Sequence, residues 1–196
     1  MNDIGKKTFG YLELCGIPFI FACGIFLSFL YEITDGSVIG IIFGSVNNSI
    51  WENVKLFALP LVVWGIIELA FSIPYFRQFV VAKVFTLYFQ SSLIIVFFSF
   101  FRELSYKKIT LAEAAGFFVI ICISQLVSFK ITSGERDLRG IFAVALGFLF
   151  LYGAMYFCFS VVPPHTELFR DPLTDMYGII PSNIDIGAYI MNITEA

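Results

Sequence analysis

The chain has 196 residues, of which 59% are hydrophobic, 18% aromatic and 14% charged, and its formal net charge is −3. A soluble domain carries roughly 25% charged residues, so the deficit points to helices whose outer faces meet lipid. No basic stretch with interleaved aromatics occurs, which leaves nucleic acid without a footprint and membrane lipids as the partner that composition implies.

At the N-terminus, Lys6 and Lys7 resemble the charged start of a signal peptide. The apolar stretch behind them is too long for a signal-peptide core and ends in no small-residue cleavage site, so it reads as an uncleaved first span over 9–31. Residues 32–53 mix a polar run with apolar Val38–Phe43, which is too short to cross a bilayer. This region reads as a loop that dips into the interface or lies on it. Further spans of about 20 residues follow at 54–73, 79–101, 111–129 and 141–162, joined by short polar breaks. The expected fold is therefore all-α: a single membrane domain, a polytopic bundle of about five spans. A polar tail, 163–196, is expected to be ordered and to dock on the bundle end.

Cys15, Cys23, Cys122 and Cys158 all lie in apolar runs and are expected to be free thiols used as small core residues. No CxxC or Cys/His cluster supports a disulfide framework or a zinc site. For orientation, Lys6, Lys7, Arg77, Lys83, Lys130, Arg136 and Arg139 fall on one side. Lys55, Arg102, Lys107, Lys108 and Arg170 fall on the other. The small excess places the N-terminus in the cytoplasm and the C-terminus outside a cell membrane. Parity adds that the 32–53 loop and the tail share a side.

Ser49-Ile50-Trp51-Glu52 and Thr110-Leu111-Ala112-Glu113 both fit a capping box, with the acidic side chain reaching back to the N-cap N–H. An acidic first turn also suits the helix dipole. Trp51 falls where an interfacial tryptophan is favoured. Glu13, Glu68 and Lys83 lie in or near apolar spans, where charges pair or line a wet cavity. Glu68 and Lys83 flank one short turn at matching depth, so an ion pair bracing that hairpin is expected. A proton or ion path through Glu13 and Glu68 is the bolder alternative. Lys130 can snorkel to the interface. Ala143, Gly147 and Gly153-Ala154 in the last span are read as small residues for packing inside the bundle.

Pro163-Pro164 ends the last helix, because neither residue donates an N–H. Asp171-Pro172 and Tyr177-Gly178 then supply turn chemistry. These motifs resemble a family of small multi-pass membrane proteins, the domain of unknown function DUF6512. Its members show V-N-E-S-x-W-E-H-x-K at the start of a span, and P-P-H followed by D-P-x-T-G-x-Y-G-I behind the last one. The resemblance covers most of the chain and brings no activity, substrate or cofactor. Asn48 stands where the family pattern has Glu, Asn53 where it has His, and Asp175 where it has Gly. A metal site built on those family residues would lose two ligands, and His165 is the single histidine; neither a metal nor a cofactor is expected.

Three functions remain open. The first is a polar cluster at one membrane face that binds a small ligand or protein partner, or serves as a structural lid. The second is a membrane-embedded enzyme acting on a lipid head group or isoprenoid-like substrate. There Glu52 or Glu113 would act as base, His165 as acid or base, and Arg102 or Arg170 as anion clamp. The third is a small transporter component. In the first reading Asn47, Asn48, Trp51, Glu52 and Lys55 are expected to meet His165, Arg170 and Asp171.

Overall fold

A computed structural model of the chain describes residues 3–72, 76–101, 111–134 and 137–180. Among the described residues seven α-helices follow one another: α1 (Asp3–Ser28), α2 (Leu30–Ile33), α3 (Val38–Phe43), α4 (Ile50–Ser72), α5 (Phe76–Phe101), α6 (Leu111–Ser133) and α7 (Phe142–Val161). A 3-10 turn, Arg139–Ile141, leads into α7. Five helices (α1, α4, α5, α6 and α7) are long and apolar enough to cross a membrane. The architecture is an all-α bundle, with no strand among the described residues.

Four of the long helices close a ring, in which α1 packs on α4, α4 on α5, α5 on α6 and α6 back on α1. The fifth, α7, lies outside the ring against α5 and α3. Inside the ring Ile20, Phe57, Leu61, Leu87, Ile94, Phe117 and Ile121 are almost wholly buried. Phe57 and Phe117 stack at 4.1 Å. Gly24 permits this packing, since a Cβ there would fall 2.3 Å from the Phe57 ring. Outward faces are apolar instead, with Phe100, Leu111 and Phe150 more than 80% exposed. Such faces are stable against acyl chains and unfavourable in water.

Local features depart from the sequence reading in instructive ways. The first helix begins at Asp3 and stops at Ser28, while residues 30–33 form the separate turn α2. The apolar Val38–Phe43 forms α3, a short helix capped by Ser37, whose hydroxyl accepts the Gly40 N–H at 3.3 Å. Pro18 and Pro60 sit inside α1 and α4 without ending them. Cys15 and Cys158 are exposed on outer faces instead of filling the core. The small residues of α7 do not pack within the bundle either: a Cβ at Gly147 or Gly153 would meet nothing within 4 Å. Both errors share a cause, because an apolar run does not reveal which of its faces meets the ring.

Candidate functional site

The segment leading into α4 carries the first group of polar side chains. The Ser49 hydroxyl accepts the Glu52 N–H at 3.3 Å, but Glu52 does not return to the Ser49 N–H as a full capping box would. That N–H donates to Asn47 Oδ1 at 2.9 Å, and Glu52 Oε2 accepts the Val46 N–H at 3.1 Å. The carboxylate is held there by Lys55, one turn along α4. Lys55 Nζ donates to both Glu52 oxygens and to the Ile41 carbonyl of α3, each at 3.1 Å. An ammonium has three hydrogens to give, so these contacts saturate a side chain with no exposed surface.

The tail closes over this turn. The Asn48 N–H donates to Asp171 Oδ2 at 2.8 Å, the Asn47 side-chain amide to the Gly178 carbonyl at 2.8 Å, and the Trp51 N–H to the Leu168 carbonyl at 3.0 Å. Asp171 Oδ1 accepts the N–H groups of Leu173 and Thr174 at 2.7 and 2.9 Å and the Thr174 hydroxyl at 3.3 Å. One buried carboxylate thus folds its own turn and ties it to the entrance of α4. Asp175, with φ of +55°, and Gly178, with φ of +70°, take the left-handed conformations of that turn. The Trp51 indole is buried, 5.3 Å from Phe159 and 5.4 Å from Phe169.

The remaining candidates do not converge on Glu52 and Lys55. His165 is exposed and stacks on Tyr177 at 4.7 Å. Arg170 faces outward and pairs with Glu167 at 2.8 Å and Asp175 at 2.9 Å. The Glu167 hydrogen bond, with the neighbouring carboxylates, lifts the Arg170 guanidinium above its ordinary range. Glu113 is buried in the first turn of α6. Arg102 and Thr110, and the tail beyond 180, lie outside the described residues.

A second charged centre sits at the opposite end of the ring, and each ring helix contributes to it. Lys83 Nζ of α5 lies 2.9 Å from both oxygens of Glu13 on α1 and 2.5 Å from Glu68 Oε2 on α4. The Ser128 hydroxyl of α6 donates to Glu13 Oε1 at 2.5 Å. The ammonium also lies 5.9 and 5.7 Å from the Phe9 and Phe79 ring centres. Gln125 Nε2 donates to the Glu13 carbonyl at 3.2 Å, and Trp64 Nε1 donates to the Leu12 carbonyl at 3.2 Å. Both groups press on Gly16, where a Cβ would fall 2.2 Å from the Gln125 amide nitrogen. The turn between α4 and α5 pairs Lys83 with Glu68, and the structure adds Glu13 to that pair. Depth alone could have joined them, since Glu13 lies about 15 Å along α1 and Lys83 about 10 Å along α5 at a rise of about 1.5 Å per residue.

The sequence pattern of the family of unknown function DUF6512 matches residues 4–179. The chain belongs to that family. No curated protein and no solved structure matches it. In DUF6512 terms, the W-E-x-x-K stretch supplies the saturated Glu52–Lys55 pair, and the D-P-x-T turn supplies Asp171. Asp175 takes the left-handed conformation that glycine adopts most easily. Asn48 contacts the tail through its backbone N–H, and that contact requires no particular side chain. Among the described residues, no three His, Cys, Asp or Glu side chains are grouped to hold a metal.

Proposed function

We propose that this chain is a multi-pass membrane protein that works by binding or transport, with the tail-end cluster as a structural closure of the bundle. The observation behind this reading is the saturation of that cluster. Every hydrogen of Lys55 and both oxygens of Asp171 are engaged within the protein. A catalytic base or anion clamp needs a free valence facing substrate. The same reading puts membrane lipids around the five apolar helices, the N-terminus in the cytoplasm, and α3 and the tail outside a cell membrane.

One observation favours a ligand at the same end. Trp51 Nε1 and the Tyr156 hydroxyl are buried without hydrogen-bond partners among the described residues, and two free donors suit an incoming carbonyl or carboxylate oxygen. Asp171→Ala separates the readings. A closure predicts lower thermal stability in detergent and new protease cleavage within 163–180. A variant as stable as the parent that has lost its cellular role would overturn the closure and favour the ligand.

A further inference from the structure

We infer that Glu13, Glu68 and Lys83 form a proton-binding site that holds one proton between its two carboxylates. The inference does not rest on the tail-end closure, which lies about 20 Å away along α4, from Lys55 to Glu68, at about 1.5 Å per residue.

Two carboxylates face a single ammonium. Glu13 and Glu68 are 3% and 0% exposed and the Lys83 side chain is 11% exposed. If every group were ionised, one negative charge would stand uncompensated among Phe9, Phe79 and the apolar walls of the ring. Burying an unpaired charge is far more costly than neutralising it. Two carboxylates drawn to one nitrogen also repel each other, and such pairs keep a shared proton.

The hydrogen bonds mark where that proton has room. Both Glu13 oxygens accept from Lys83, and one also accepts from Ser128. On Glu68 only Oε2 meets Lys83, while Oε1 is buried with no partner among the described residues. A second feature points the same way. Gln125 is 1% exposed, and its amide is fixed on the Glu13 carbonyl. Its own Oε1 is left without a partner among the described residues, as is the buried hydroxyl of Ser124, the residue before it on α6. A proton on Glu68 adds a donor, beside the Lys83 ammonium and the Trp64 N–H, to a site where Glu68 Oε1 and Gln125 Oε1 are buried without partners among the described residues. The site exchanges its proton with the face holding the N-terminus of α1, because Ile20, Phe57, Leu61, Leu87 and Ile121 fill the ring on the other side.

The test is infrared difference spectroscopy of the purified protein in lipid between acidic and alkaline buffer, following the protonated-carboxyl stretch and its shift in heavy water. The wild type is expected to show one buried carboxyl. Glu68→Gln and Glu13→Gln each leave one carboxylate against one ammonium, so each is expected to abolish that band. Lys83→Met leaves two carboxylates and no cation, and is expected to double it. A wild-type spectrum with no buried carboxyl, or a band that survives in both glutamine variants, overturns the inference. The two glutamine variants report independently, so misfolding of one leaves the other decisive, and the wild-type spectrum needs no variant.

Discussion

Two buried charged centres occupy opposite ends of the same ring, and they solve the problem of burial differently. At the tail end Glu52 and Lys55 balance one to one on a single helix, with the Val46 N–H and the Ile41 carbonyl taking up the remaining valences. At the other end Glu13, Glu68 and Lys83 come from three helices, and two acids meet one base. The first arrangement is complete as it stands and holds α3 to the start of α4. The second is complete only with one more positive charge. Burial alone therefore does not separate a structural pair from a working one, whereas the balance of charge and valence does.

The largest effect should come from unbalancing the balanced end. Lys55→Met strands the buried Glu52 carboxylate without its cation, and breaking a buried pair from one side costs about 3–5 kcal/mol. Adding Glu52→Gln removes the stranded charge, so the double variant should regain most of that loss. Unfolding of the three variants in one detergent measures both quantities. Additive losses would mean that the two side chains do not act as a pair, and the contrast between the ends would fail.

A smaller effect is expected from crowding the unbalanced end. Gly16→Ala drives a Cβ to 2.2 Å from Gln125 Nε2 and 2.5 Å from Trp64 Nε1. Overpacking of this kind costs about 1–3 kcal/mol. Gly147→Ala is the control, since its Cβ would meet nothing within 4 Å and its effect should stay within about 0.5 kcal/mol. Equal losses at the two positions would show that α7 packs as closely as α1 does.

Next comes the seam between tail and bundle. Asn47→Ala removes the bonds to the Gly178 carbonyl and the Ser49 N–H, at a cost of about 1–2 kcal/mol. Amide hydrogen exchange should rise across 168–178 before it rises in α4. Uniform loss of protection through both would merge the seam with the core.

The number of long helices and their approximate limits were legible in the sequence, because lipid-compatible runs of about 20 residues announce themselves. The shared side of the 32–53 loop and the tail follows from parity alone, and the Asn48–Asp171 contact joins them. What stayed hidden was rotation about each helix axis. Cys15 and Cys158 lie in runs as apolar as those that carry Ile20 and Phe117, yet they face outward. Glu13 was visible as a charge in a span, but its meeting with Lys83 depends on α1 turning that face to α5 across the ring. The capping motif at Ser49 was half legible: its hydroxyl caps, while Glu52 turns to Lys55 because a full charge outcompetes a backbone N–H.

The smallest effect is expected at His165, the most suggestive residue in the sequence. Its ring lies on Tyr177 at 4.7 Å, tilted by 26°, in an exposed position on the outer side of the tail. A stack of two rings contributes about 0.5–1.5 kcal/mol when well packed, and exposure puts this one at the low end. His165→Ala should therefore lower stability by about 0.5 kcal/mol, and His165→Phe should restore it, since a flat ring is all that the contact uses. The pair of substitutions sharpens the contrast between the ends. If the alanine variant keeps its stability but loses its cellular role, and phenylalanine fails to rescue that role, the imidazole nitrogens are in use. The tail end would then hold a working group on its outer surface, above a buried pair that remains structural.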